Sequence, residues 1–273
     1  MTVSDESTHR EVRAPDYQTG YKAIVLGARE GNIGGAIAQR LCQAGWIACE
    51  DDCHRPFTVP AEMEHSERFF IPEYNPPQTQ ELGPYDACVI TIGTTHMEPF
   101  SEVSRSDFRK VMYGSLELPL ECARRYVRAR KELFELEGID STDDDPIGKI
   151  VFIGSYAHNH PFTHCTSYCV AKAGLDMAAK CLAWELMPMG FDVHIIHPHH
   201  VQGTPMTDEV RAGMRAGVHQ MSEEEAVRYQ YKDLRMPDLL KPEEIAEMVH
   251  LLLTQPVARW LSGTRTEMYG GMR

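Results

Sequence analysis

Nothing in the 273 residues approaches the ~18 consecutive apolar positions that a membrane-spanning helix requires. The N-terminal segment MTVSDESTHREVRAPDYQTG has neither the basic start nor the apolar centre of a secretory signal. Positive charge is scarce: 27 Lys+Arg stand against 40 Asp+Glu, a net charge of -13. Such a surface is ill suited to phosphate backbones or anionic headgroups, so neither nucleic acid nor membrane is an expected partner. Cysteine is sparse too, eight in all. The pairs Cys49/Cys53 and Cys165/Cys169 miss the CxxC spacing of zinc and redox motifs. This argues for reduced thiols in a cytoplasmic protein rather than a disulfide scaffold. What remains is a globular composition, 42% hydrophobic and 25% charged, with ample material for one large α/β domain.

Residues 1–20 are polar and aperiodic, and a mobile N-terminal extension is expected there. From residue 21 to 273, short apolar runs alternate with longer amphipathic stretches. AIVLG (Ala23 to Gly27), WIAC (Trp46 to Cys49), RFFI (Arg68 to Ile71), ACVITI (Ala87 to Ile92), KIVFIG (Lys149 to Gly154) and VHIIH (Val193 to His197) have the character of buried strands. IGGAIAQRLCQAG, LELPLECARRYVRARKELFEL and YCVAKAGLDMAAKCLAWELM have the character of helices between them. Strand–helix alternation predicts a single-domain, doubly wound parallel sheet with helices on both faces. The prolines of PEYNPPQTQELGP make the connection from Ile71 to Tyr85 irregular, and the acidic run at 140–145 reads as a solvated loop.

The first strand runs directly into Gly27-Ala28-Arg29-Glu30-Gly31-Asn32-Ile33-Gly34 and then a helix. Glycines there permit a tight turn and close approach of backbone to a pyrophosphate, whose charge is favoured at a helix N-terminus. The second strand ends in Glu50-Asp51-Asp52. An acidic side chain at that place can accept from both ribose hydroxyls of NAD and repels the 2′-phosphate of NADP, so NAD is expected over NADP. Ser155 sits just past a strand, Tyr168 follows at a helix start, and Lys172 lies one turn on, on the same face. An ammonium beside a phenol stabilises the phenolate, as a general base near neutral pH requires, and the serine hydroxyl can hold a substrate oxygen.

These pieces together resemble the short-chain dehydrogenase/reductase family over nearly all of residues 21–273: GAREGNIG for its glycine motif, DACVITIG for its fourth strand, and Ser155 with YCVAK for its catalytic triad. HPHHVQGTPM is similar to its cofactor loop, and KPEEIAEMVHLLLTQPVARWLSGTRTEMYGG to its C-terminal signature, with a last strand near Arg265 to Tyr269. The resemblance implies a Rossmann-type fold and an NAD(P)-dependent oxidoreductase that interconverts a secondary alcohol and a ketone. Tyr168 would act as general acid/base, Lys172 would also bind the nicotinamide ribose, and Ser155 would orient the reacting oxygen. Gly27, Arg29, Gly31 and Ile33 would border the pyrophosphate and ribose, Asp52 the adenine ribose, Gly93 the underside of the cofactor, and Val201 and Thr204 its carboxamide. Residues 204–236 would form a substrate lid, and the two long helices would pair subunits into a homodimer or homotetramer.

The chain also departs from the family pattern. One extra residue separates the last two glycines of the turn, and Asn-Asn-Ala-Gly becomes Thr91-Ile92-Gly93-Thr94. The usual relay asparagine aligns with Ser115, and Pro-Gly of the cofactor loop is Pro198-His199, with Gly203 as an insertion. A catalytically idle dinucleotide-binding regulator or scaffold, or an isomerase or dehydratase, are the competing readings. Thirteen histidines cluster partly around the site. No fixed-spacing ligand set accompanies them, and no metal is expected. Tyr156, His158, His164 and His200 are candidates for the substrate pocket, with surface or hydrogen-bonded core histidines as the alternative for each ring.

Overall fold

The computed structural model describes residues 21–51, 85–137, 146–216, 220–231, 234–236 and 238–271. The expected extension at 1–20, Asp52, the RFFI strand, the 71–84 connection and the acidic loop at 140–145 lie outside the described residues.

The chain runs β1 (Lys22–Leu26), α1 (Ile33–Gln43), β2 (Ile47–Asp51), β3 (Ala87–Ile90), α2 (Arg105–Met112), a π-helical turn (Tyr113–Glu117), α3 (Leu118–Glu137), β4 (Gly148–Ile153), α4 (Thr166–Leu186), β5 (Phe191–Pro198), α5 (Pro205–Ala216), α6 (Glu223–Tyr231), α7 (Pro242–Thr254) and β6 (Arg265–Met268). The strands form one sheet in the order β2-β1-β3-β4-β5-β6, and every pairing is parallel. Continuous apolar runs such as ACVI and KIVFI suit it, because both faces of each strand are covered.

Successive residues point to opposite faces, and the sequence sorts them by size. Ile24, Leu26, Cys88, Ile90, Ile150 and Phe152 pack against α3 and α4 through Tyr126, Leu175 and Ala179. The smaller Ala23, Val25, Ala87, Val89 and Val151 face α1 and α7 through Ile37, Leu41, Ile245 and Val249. Helix starts are marked locally. Asn32 and Ser104 cap α1 and α2, and Pro242 opens α7, with the Glu244 carboxylate accepting from Lys241 N–H at 2.8 Å.

The chain leaves β1 for β2 on one side and returns to β3 on the other. Loops diverge at the carboxyl ends of strands where winding reverses, and a crevice opens there. Cys42, Cys88, Cys122, Cys165, Cys169 and Cys181 are free thiols. Among the described residues, no helix is long and apolar enough to cross a membrane.

Candidate active site

One wall of the crevice is the turn from β1 into α1. Gly27 has φ +88°, and a Cβ there would lie 2.9 Å from Thr91 Oγ1 and 3.2 Å from Ile92 N, so only glycine fits without strain. Asn32 ties the turn together. Its Oδ1 accepts from Arg29 N–H (3.0 Å) and Gly35 N–H (2.9 Å), while Nδ2 donates to Gly27 O (3.0 Å). A cleft of about 410 Å³ is bordered on this side by Arg29, Asn32, Ile33 and Gly34. Gly31 instead borders a second hollow beside Gln202 and Gly203, and Gly27 forms the floor of the turn. The sequence reading missed Asn32, although Asn one residue before an apolar-periodic helix is a recognisable cap signal.

The opposite wall comes from β4, α4 and the loop after β5. Ser155, Tyr168 and Lys172 all line the same cleft. Lys172 Nζ donates to Ile153 O at 3.1 Å and stands 5.7 Å from the centre of the Tyr168 ring. Tyr168 Oη points at Met206 Sδ, 3.6 Å away. Burial pushes the Lys172 ammonium down to about 8. Burial likewise pushes the Tyr168 phenol up, against the downward pull of a hydrogen bond with Ser155. Among the protein's own groups, Lys172 is not the leading influence on the phenol. Desolvation dominates, and the ammonium directs its bond to a carbonyl rather than to the phenol.

Gly93 separates the walls. A Cβ there would stand 3.4 Å from Lys172 Nζ and 3.8 Å from Ser115 Oγ. Ser115 does not line the cleft. Fully buried, its hydroxyl donates to Thr94 O (2.6 Å) and accepts from Thr94 N–H (2.9 Å). Its side chain holds the turn after β3 through these two bonds, which use its one donor and one of its two lone pairs.

Val201 and Thr204 border the cleft as expected, together with His199 and His200. Histidine is tolerated at the Pro-Gly position because the left-handed residue of this loop is Gly203 (φ +70°), not His199. Thr207, absent from the sequence reading, anchors the loop by donating to Val201 O at 2.6 Å. The start of the expected lid reaches the cleft through Met206, Thr207 and Val210, and α5 is joined to α6 by Arg211–Gln230 and Arg215–Glu223 contacts of 3.0 and 2.7 Å.

Of the four pocket candidates, the structure brings two to the cleft. Tyr156 Oη and His200 Nε2 are 3.2 Å apart there, and Tyr156 stacks on His199 with ring centres 4.4 Å apart. His164 and His158 do not line it. His164 takes a left-handed conformation (φ 63°) and offers its carbonyl to Glu98 N–H at 2.9 Å. His158 is buried behind Ser155, stacked on His197 with centres 3.7 Å apart. Donor atoms of His158, Asp176 and His197 fall within 4.8 Å of one another. Yet Asp176 already accepts from Arg265 (2.7 Å), Lys180 (2.7 Å) and the His197 ring (3.1 Å). Against the upward push of burial, those cations hold its carboxyl well below the ordinary carboxylate range. The two rings are nearly parallel, so their in-plane lone pairs run side by side instead of converging on a cation. The group is an ion-paired hydrogen-bond network.

A family model described as enoyl-(acyl carrier protein) reductase matches residues 78–273. Among curated proteins, the vibriobactin-specific 2,3-dihydro-2,3-dihydroxybenzoate dehydrogenase of Vibrio cholerae serotype O1 is 21% identical, over 85% of this chain and 88% of its own length. The 3-oxoacyl-[acyl-carrier-protein] reductase MabA of Mycobacterium tuberculosis is 23% identical, over 91% of each chain. Among solved structures, an actinorhodin polyketide ketoreductase with NADPH superposes with a TM-score of 0.70 at 22% identity, covering 92% of this chain and 96% of its own. That last likeness is one of fold.

Proposed function

This chain belongs to the short-chain dehydrogenase/reductase family of NAD(P)-dependent oxidoreductases, and we propose that it interconverts a secondary alcohol and a ketone with Tyr168 as general acid/base. The observation that carries this reading is the convergence of Ser155, Tyr168 and Lys172 on one wall of a cleft whose other wall is the glycine turn. The residues fit a dinucleotide: Gly27 has no room for a side chain beside Thr91 and Ile92, and Gly93 borders the cleft. Arg29, Ile33 and Gly34 line the cleft at the positive end of α1. Arg29, Ile33, Gly93, Val201 and Thr204 would hold the cofactor, and Lys172 its ribose.

When bound, the nicotinamide supplies or takes up the hydride. The remaining work falls to the chain. Ser155 holds the substrate oxygen. Tyr168 donates its proton to that oxygen in the reducing direction and recovers it in the oxidising one. Lys172 stabilises the phenolate left behind. Burial of Tyr168 raises the cost of the free phenolate, so proton transfer is favoured where a partner oxygen and the ammonium are both close. Met206, over the phenol, helps exclude water as part of a lid formed by residues 204–236.

NAD is the favoured dinucleotide. The second strand ends in Glu50-Asp51-Asp52, and an acidic side chain at this end would accept from the ribose hydroxyls of NAD and repel a 2′-phosphate. Tyr156 and His200 would meet the substrate. Assembly as a homodimer or homotetramer is supported by Val170, Met177 and Trp184. They lie seven residues apart on α4 and remain exposed, Trp184 by 89%.

The test is reduced-nicotinamide absorbance with a panel of alcohols and ketones. Tyr168→Phe is expected to lower kcat/KM about 1,000-fold while dinucleotide affinity stays the same. Undiminished turnover in that variant would reject the mechanism. Dinucleotide binding with no turnover on any panel member would favour the idle regulator.

A further inference from the structure

The mechanism uses the Ser155 hydroxyl but leaves a buried group behind its backbone without a task. His197 Nδ1 lies 3.3 Å from Ser155 N and 3.1 Å from Ser155 O. The other nitrogen of that ring, Nε2, lies 3.1 Å from Asp176 Oδ1. Ser155 O lies 2.9 Å from His158 Nδ1. The two imidazoles are stacked, 24° from parallel, and essentially shut off from solvent. Gly154 makes room for them, since a Cβ there would collide with His197 Nδ1.

We propose that His158 and His197 are positioning residues that clamp the two backbone groups of Ser155, with Asp176 and Arg265 fixing the tautomer of His197. The inference rests on Ser155 holding the substrate oxygen. Its logic is one of donors and acceptors. An ionised carboxylate only accepts, so the His197 nitrogen facing Asp176 carries the proton. In a neutral ring the other nitrogen is then bare and accepts from Ser155 N–H. The Ser155 carbonyl, which accepts from the His158 backbone N–H at 3.1 Å, takes a second bond from His158 Nδ1–H, with Tyr269 Oη 3.2 Å from the same nitrogen. Arg265 and Lys180 keep Asp176 ionised, with contacts of 2.7 Å each. The clamp holds Ser155 extended, φ −168° and ψ 153°, from where its side chain faces the cleft.

The groups around the pair are Asp176 and Lys180 of α4, Arg265 and Glu267 of β6, Tyr269 just beyond it, and Ser155 itself. They make the two rings unequal. A second proton on His197 would enter Nδ1 and turn the ring from the Ser155 N–H at 3.3 Å to the Ser155 carbonyl at 3.1 Å. A second proton on His158 would enter Nε2, 3.7 Å from Glu267 Oε1, and leave its bond to Ser155 intact. Burial and the neighbouring His158 hold His197 down to about 4, so the clamp is closed at neutral pH.

The first test is nitrogen-15 NMR of the full-length protein labelled in histidine, with single His→Asn variants to assign the signals. His197 is expected as the Nε2–H tautomer and His158 as the Nδ1–H tautomer at pH 7. The opposite tautomer at His197 overturns the clamp. The second compares His197→Leu with His197→Asn, both shown to be folded by thermal melting. The amide oxygen of Asn can take the place of the Nδ1 acceptor. His197→Leu is expected to lower kcat about 100-fold with dinucleotide affinity unchanged, and His197→Asn to recover all but about tenfold. Equal losses in both variants, or losses confined to dinucleotide affinity, overturn it. A wild-type protein that turns over no substrate removes the function reading, and the tautomers then decide the clamp alone.

Discussion

The two walls of the cleft are held by different kinds of bond. On the glycine side the ties are short in sequence: Asn32 reaches Arg29, Gly35 and Gly27, three to five residues away. On the catalytic side they are long and buried. Ser155 meets His197 across 42 residues, and Asp176 meets Arg265 across 89. A wall made of local backbone conformation is vulnerable to an added Cβ. A wall made of buried titratable groups is vulnerable to protons. The same cleft therefore has two separable modes of failure.

The largest expected effect is on the catalytic side. His197 behind Ser155, and His194 earlier on β5 and outside the cleft lining, are buried, and desolvation holds each at about 4 against an ordinary 6.5. The unfolded chain takes up those protons first, so stability is full above about 6.5 and falls as pH drops toward 4. The loss is on the order of 3 kcal/mol for each ring. Asp176, held low by its cations, adds further loss at more acid pH. Urea unfolding between pH 7.5 and 4.5 measures this, and hydrogen exchange should show amides near Ser155 opening before those of Gly27 to Asn32. A flat stability profile, or the opposite order of opening, would break the contrast between the walls.

A smaller effect is expected from Gly27→Ala. The positive φ costs about 1–2 kcal/mol for any L-residue, and the contacts with Thr91 and Ile92 add to it. Because no proton is involved, the loss measured by urea unfolding should be the same at pH 5.5 and 7.5. Smallest is Asn32→Ala, which removes the cap of α1 and should cost about 1 kcal/mol. Titration calorimetry should find dinucleotide affinity weakened while the pH dependence of stability is untouched. A changed pH profile in either variant would mean that the walls are coupled.

The meeting of Ser155, Tyr168 and Lys172 in one cleft was legible because each has a local signature. Tyr168 and Lys172 share a helix face at a spacing of four, and Ser155 follows a strand that reads as one. The strands were legible for a similar reason, since doubly covered strands are short and uniformly apolar, as in β4. Ser115 aligns with a relay asparagine, and that alignment says nothing of the Thr94 backbone to which its hydroxyl is bonded. His158 and His164 lie near Ser155 and Tyr168 in the chain, which made them pocket candidates. The 3₁₀ turn at Tyr156–His158 turns one inward, and a left-handed residue sends the other away from the cleft. Met206 reaches the phenol from 38 residues away, a contact no spacing could announce.

Periodicity, glycine placement and the intervals among Ser155, Tyr168 and Lys172 were enough to predict a doubly wound sheet, a glycine turn into α1 and three polar side chains on one wall of a cleft, because each depends on neighbours within a few turns of chain. Which histidines meet the cleft, how deeply the phenol is desolvated and what braces Ser155 from behind were decided only when β4, α4, β5 and β6 packed together. Burial and hydrogen-bond partnership belong to the space between elements, and the same imidazole becomes a pocket group or a buried brace according to what packs against it.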